Sequence, residues 1–235
     1  MFNRDTRLLV LVAHPDDETI GMGGTIHRVR QAHGAVRIVF LGEGVTARYD
    51  LEKADSPEVL DEIETRNANA VRACGILGLA ATDLVFEGRA CCRFDTMPQI
   101  DLVKAIERHL DSFRPTHVFT HSFTDTNVDH RTVQQAVLTA ARPIRFPEIE
   151  LLAQFEVLSS TETNPLQPFS PDLFVDISDS IAAKQKAMLA YGGEIGTMPH
   201  PRSPEAVDGL ARYRGVQAAM TYAEGFKTVR AMVAK

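Results

Sequence analysis

The sequence predicts an α/β fold, a three-layer sandwich built on a mainly parallel sheet. Three observations carry that expectation. Residues 8–12, Leu-Leu-Val-Leu-Val, are apolar without alternation, the pattern of a strand buried on both faces. Segments of this kind alternate with amphipathic helical stretches along the chain. Polar and titratable residues collect directly after strands, where ligands bind in open α/β sheets. With 44% hydrophobic residues among 235, the chain can bury one large core, and one domain over residues 1–235 is expected.

Taken in order, the first strand stops on His14-Pro15-Asp16-Asp17-Glu18 and a helix follows to about Gln31. Residues 35–41 form the second strand, leaving through Gly42-Glu43-Gly44 without the G-x-G-x-x-G of a dinucleotide site. Residues 46–57 are polar and read as a mobile loop near the site, and a helix over 58–77 ends before Gly78. A third strand over 82–87 leads to a loop in which Cys91 and Cys92 serve packing rather than metal binding. The helix over 97–113 is stopped by Pro115, and a fourth strand over 116–121 ends on His121 beside the first turn. A helix starts at His130, a short strand covers 154–158, and residues 174–179 lead into a helix ending at Tyr191. Three prolines then hold residues 198–204 as a rigid loop before a last helix to about Tyr222.

Composition removes several function classes. A net charge of -6 argues against nucleic acid or anionic membrane as partner. No apolar run approaches the ~20 residues of a membrane span. The amino terminus leads into the first strand without a signal-peptide pattern, and three cysteines without framework spacing fit a reducing, cytoplasmic setting.

The first strand end supplies the chemistry. Neutral imidazole and carboxylate are what a divalent metal takes, and His14 and Asp17 reach one point from a tight turn stiffened by Pro15. Asp16, between them, is left to act as a base toward water at the metal. Helix capping would account for one of the aspartates, not for the whole run. His130, in a strand-end loop with Asp125, Asn127 and Asp129, completes two histidines and one carboxylate with a position open. Asp129 is placed either to orient a ring or charge or to cap the helix that begins there.

The stretches Ala13-His14-Pro15-Asp16-Asp17-Glu18 and Thr120 through Arg131 resemble the two motifs of the LmbE/PIG-L family of metal-dependent N-deacetylases, in the same order. The likeness runs from about Leu8 to Arg230. It implies a Rossmann-like fold, a bound Zn2+ (with Fe2+ or Co2+ as alternatives), and hydrolysis of an N-acetyl or other short N-acyl group on an amino sugar or sugar conjugate. Homo-oligomers occur among such relatives. The resemblance also implies a substrate contact by Arg66, although Asn69 stands where the family has glutamate, and a solvated helix arginine is the plain alternative. Asn127 replaces a histidine that assists the tetrahedral intermediate in many members; asparagine donates to an oxyanion but gives up no proton. The proton for the leaving amine then comes from Asp16 or from another histidine. The Pro199-His200-Pro201-Arg202-Ser203 step and the tail from Tyr222 to Lys227 resemble one branch, which implies a place near substrate for His200 and Arg202, against an ordinary surface loop.

Two readings from other classes share the pattern. Two histidines and a carboxylate also describe non-haem iron oxygenases, which favour β-barrels over alternating strands and helices. The departures at Asn69 and Asn127 also suit a non-catalytic metal or sugar binder.

Overall fold

The computed structural model describes residues 2–233. Seven strands form one sheet in the order β3-β2-β1-β4-β5-β7-β6. These are β1 (Arg7–Val12), β2 (Ala35–Gly42), β3 (Leu84–Arg89), β4 (His117–His121), β5 (Leu151–Phe155), β6 (Leu173–Asp176) and β7 (Ala223–Ala231). The first five pair in parallel, as the unbroken apolar runs predict. β7 then runs antiparallel between β5 and β6. Six helices, α1 (Asp17–Gln31), α2 (Pro57–Ile76), α3 (Gln99–Phe113), α4 (Val128–Ala140), α5 (Ile181–Leu189) and α6 (Pro204–Gln217), complete the mixed α/β fold. The sheet divides the apolar interior. Val10, Ile26, Phe40, Ala73, Ile177 and Met188 belong to one core, on the side of α1, α2 and α5. Leu9, Leu11, Ile106, Leu110, Val133 and Val137 form the other, under α3 and α4.

Strand order turns at β1. From there the chain lays β2 and β3 on one side, and β4 and β5 on the other, so the carboxyl ends of β1 and β4 flank a topological switch point. Thr120 Oγ1 ties the two strands by donating to the Leu11 carbonyl at 3.0 Å.

Helix α1 is broken at Met22 (φ -152°, ψ 25°). The amides freed at the break are satisfied by buried Glu224 of β7, which accepts from Gly24 N–H at 2.9 Å and Thr25 N–H at 2.7 Å. Lys184 Nζ, 2.6 Å away, compensates that carboxylate's charge. Glycine is required at position 24, because a Cβ there would lie 2.8 Å from Ile177.

Several boundaries differ from expectation. The expected strand over 154–158 is β5, which lies three residues earlier, and residues 46–57 contain two short 3-10 turns, Thr46–Arg48 and Leu51–Lys53. β7 is a strand that the sequence does not announce: Glu224, Gly225, Lys227 and Arg230 break any strand pattern, yet its first four residues are buried. No helix among the described residues is long and apolar enough to cross a membrane.

Candidate active site

The turn after β1 places four titratable residues in a buried cluster. His14 Nδ1 lies 3.6 Å from Asp17 Oδ2, and His130 Nε2, from the first turn of α4, lies 3.4 Å from the same oxygen. Two donors bound at ~2.0–2.1 Å in a tetrahedral arrangement are about 3.4 Å apart, so these spacings match the edges of a metal site. The outer nitrogens are engaged by carboxylates. His14 Nε2 lies 2.9 Å from Asp129 Oδ2, and His130 Nδ1 lies 3.0 Å from Asp125 Oδ2, the latter a close contact of poor hydrogen-bond alignment. Carboxylates behind ligating histidines fix ring orientation and raise donor strength. Burial alone would disfavour charge here, but the carboxylates of Asp17 and Asp125 outweigh it and push His130 up to about 10. Burial would likewise raise Asp17, yet the His130, His121 and His14 rings hold it well below the carboxylate range. The field that favours a proton on His130 also favours a cation, so the residues fit a divalent ion held by His14, Asp17 and His130.

A second cluster, His121, Asp125 and His130, is geometrically close enough to hold an ion as well. It is a poorer one. Asp125 Oδ2 already accepts from Ser160 Oγ at 2.9 Å and Thr161 Oγ1 at 2.7 Å, and His121 Nε2 accepts from Ala13 N–H at 2.8 Å. His121 is wholly buried and stacks on the His130 ring, with centroids 3.9 Å apart. Its place is behind the site, supporting His130.

Asp16 has an unusual backbone, φ 121° and ψ -29°, a conformation that non-glycine residues adopt only when their surroundings impose it. Glu18 Oε2 accepts from Asp16 N–H at 3.0 Å, and Arg66 Nε and Nη2 donate to the Pro15 carbonyl at 3.1 and 2.9 Å. On the side chain, Oδ2 takes Arg202 Nη1 at 2.8 Å and faces Arg66 Nη2 at 3.2 Å. Oδ1 is buried without a partner. Burial raises the Asp16 carboxyl above its ordinary range, while Arg202 and Arg66 pull the other way. One oxygen anchored and one free is the arrangement of a positioned proton acceptor.

Arg66 is therefore no solvated helix residue: it is 6% exposed. The carboxylate beside it is not at position 69, where half-buried Asn69 pairs with Arg72, but is Glu194, 128 residues away. Glu194 also receives Arg48 Nη2 at 2.6 Å and Arg202 Nη1 at 3.0 Å. Gly44, at φ +78°, makes room for this arginine, since a Cβ there would lie 2.7 Å from Arg66 Nε.

Asn127 caps α4: its Oδ1 accepts from Asp129 N–H at 2.9 Å. The capping role open to Asp129 is thus taken by its neighbour. Asp129 instead accepts from the backbone N–H groups of Cys92 and Phe94 while holding His14, so it touches a ligand rather than the cavity. With Oδ1 spent on the cap, Asn127 presents Nδ2 as its remaining donor. A cavity of about 180 Å³ opens over the cluster, lined by His14, Asp16, Arg48, Arg66, Cys92, Asn127, His130, Ser159, Ser160 and Arg202 among others. His200 is not in that lining. It is exposed, and its Nδ1 accepts from Arg202 N–H at 3.1 Å, shaping the loop that delivers Arg202. Cys91 is buried, its sulfur accepting from Ala47 N–H at 3.1 Å, in the packing role expected.

Sequence reasoning does not find Glu194, Arg48, Ser159 or Ser160. The polar run from Ser159 to Pro165 and the break at Gly192-Gly193-Glu194 each signal a turn, and nothing in the sequence aims either at the first strand.

The chain is similar to known proteins over most of its length. Over 235 aligned residues the chain is 25% identical to the diacetylchitobiose deacetylase of Thermococcus kodakarensis, covering 97% of this chain and 85% of that protein. It is 28% identical to the 1D-myo-inositol 2-acetamido-2-deoxy-alpha-D-glucopyranoside deacetylase of Mycobacterium sp. (strain JLS), covering 84% and 77%. The crystal structure of the conserved protein TT1542 from Thermus thermophilus superposes with a TM-score of 0.75 at 24% identity, covering 98% of this chain and 97% of that one. Residues 9–141, which hold both motifs together with His14, Asp17 and His130, match the family described as PIG-L, GlcNAc-PI de-N-acetylase. The chain belongs to that deacetylase family.

Proposed function

We propose that residues 1–235 form one catalytic domain, a zinc-dependent amidohydrolase that removes an N-acetyl or other short N-acyl group from an amino sugar or sugar conjugate. Two named relatives act on N-acetylated sugars, which supports the substrate class. The observation that carries the reading is the free, buried Oδ1 of Asp16 beside the three-donor set. When bound at His14, Asp17 and His130, a divalent ion supplies Lewis acidity that polarises the amide carbonyl and acidifies water.

Asp16 takes the proton of the attacking water on Oδ1 as the new C–O bond forms, while Arg202 and Arg66 hold Oδ2 still. Asn127 Nδ2 donates to the carbonyl oxygen as negative charge gathers there. Asp16 then returns the proton to the nitrogen as the C–N bond breaks, releasing amine and carboxylic acid. His121 does not line the cavity, which leaves the return of the proton to Asp16. Arg66 and Arg202 face the sugar from the rim, and His200 acts through Arg202. Zn2+ is the ion the family resemblance implies, and two imidazoles and one carboxylate with a position left open suit it, as they also suit Fe2+ or Co2+. A cytoplasmic setting suits three free cysteines.

Metal analysis together with acetate release from a panel of N-acetylated sugars tests this. About one zinc per chain with acetate released from at least one sugar is expected. A fully loaded protein that releases none from any member overturns it, in favour of a non-catalytic binder.

A further inference from the structure

The cleft is basic although the chain is acidic. Overall the net charge is -6, yet the cavity over the metal donors is lined by three arginines, Arg48, Arg66 and Arg202, against one carboxylate, Asp16. All three guanidinium groups converge on Glu194: Arg48 at 2.6 Å, Arg202 at 3.0 Å, and Arg66 in direct contact. Glu194 stands in the wall, outside the lining of this cavity and within that of a neighbouring one of about 140 Å³, which Arg48 and Arg66 share. A protein carboxylate thus occupies the centre of a ready-made anion cage.

We propose that the substrate carries an anionic substituent, a phosphate or a carboxylate, which Arg48, Arg66 and Arg202 receive in place of Glu194. The proposal rests on reading the site as a sugar N-deacylase and narrows its substrate class.

Three features support it. Guanidinium groups are donors only, matched to phosphate and carboxylate; neutral sugar hydroxyls also need acceptors, and the cleft lining offers no carboxylate beyond the base. Second, the donors stay aimed without Glu194. Arg202 Nε is held at 3.0 Å by Ser159 Oγ, on a residue kept at φ 96°, and Arg66 by the Pro15 carbonyl. Third, Glu194 can withdraw cheaply. It ends the Gly192–Glu194 turn, where a Cβ added at Gly192 or Gly193 would meet nothing within 4 Å. Exchanging one carboxylate for another anion also leaves the arginines compensated, so the usual cost of unpairing a partly buried charge is avoided.

The test compares N-acetylglucosamine with N-acetylglucosamine 1-phosphate, N-acetylglucosamine 6-phosphate and 2-acetamido-2-deoxyglucuronic acid on the metal-loaded protein. Acetate release and calorimetric binding are measured for each. At least one anionic sugar should exceed the neutral one by ~10-fold or more in kcat/KM and in affinity, the worth of a charge-assisted contact. A phosphate sugar leading identifies phosphate, and the uronic acid leading identifies carboxylate. Arg48→Ala should remove most of the preference through KM, and Arg48→Lys should keep part of it. Equal values for neutral and anionic sugars overturn the proposal. So does a preference that Arg48→Ala leaves unchanged, because the anion then sits on the metal. If no sugar is hydrolysed, the deacylase reading fails, while the calorimetric comparison and its response to Arg48→Ala still decide the anion site.

Discussion

The two ends of the cleft are built differently. The candidate donors His14, Asp17 and His130, with Asp16, come from the turn after β1 and the start of α4, locked between buried sheet and helix. The far rim comes from loops: Ser159 after β5, Glu194 between α5 and α6, and Arg202 before α6. Donors that must meet within tenths of an ångström ride on the rigid layer, and groups that select a substituent ride on connections free to vary. The family match ends at residue 141, before every one of the rim groups after β5. Arg48 and Arg66 lie within the matched span, whereas Ser159, Glu194 and Arg202 lie beyond it, and mutations at the rigid end and at the loop end should tell chemistry from specificity.

The largest expected effect is at the rigid end. His130→Ala should lose the ion and all acetate release while the far-UV spectrum stays native; an ion retained at full occupancy would place the metal elsewhere. Asp16→Asn keeps shape and tolerates the positive φ, so metal content should hold while kcat falls by ~10²–10⁴. Loss of zinc in that variant would make Asp16 a ligand.

Asn127 joins the two ends, since it both caps α4 and faces the cavity. Asn127→Asp keeps the cap acceptor but points negative charge at the developing oxyanion, so its kcat should fall below that of Asn127→Ala. The alanine variant should lose ~10²–10³ in rate and, having lost the cap, ~1 kcal/mol of stability. An aspartate variant as fast as alanine or faster would restrict Asn127 to shaping the loop.

At the loop end, Arg202→Lys should raise KM by about tenfold, because an ammonium cannot span Ser159, Asp16 and Glu194 as the guanidinium does. A purely catalytic loss with KM unchanged would move Arg202 into the chemistry.

The smallest effect concerns stability. Burial pushes Glu18 up to about 7, against hydrogen bonds from Thr19 Oγ1 at 2.5 Å and Tyr191 at 2.6 Å. A carboxyl raised above its unfolded pKa of 4.5 favours the folded state's protonated form, so this contribution is whole below about 4.5 and is lost as pH rises through about 7. Glu18→Gln removes the penalty. Relative to the parent it should gain stability, by at most ~3 kcal/mol, between pH 5 and 8, and show no gain at pH 4. An equal change at both pH values in urea titrations would mean that Glu18 does not titrate in this window.

The same division decides what the sequence can reveal. His14, Asp16 and Asp17 stand close together in one turn, and the apolar strand before them shows where they lie, so the candidate donors and the candidate base are legible at once. His130 is legible because a strand-end loop and a helix start bracket it. Arg66 is half legible: its expected partner is position 69, one helical turn away, whereas ion pairs across a fold leave no periodicity to find. Between Asp129 and Asn127 the cap is settled by which of two nearby side chains turns back on the helix, and spacing alone does not decide that. β7 is hidden by the charges that give it its use, since Glu224 looks like a surface residue until the break in α1 supplies two amides for it.

That last strand has a consequence for how the chain is made. β5 pairs with β4 on one side and must wait for β7 on the other, and β6 reaches the sheet only through β7. A nascent chain that has emerged only through α5 holds every candidate metal donor, yet exposes the open edge of β5 and the two unpaired amides of the α1 break. The donors are synthesised early and fastened late. Folding therefore closes from its end, and the interval before β7 arrives is when the exposed edge invites pairing with another chain.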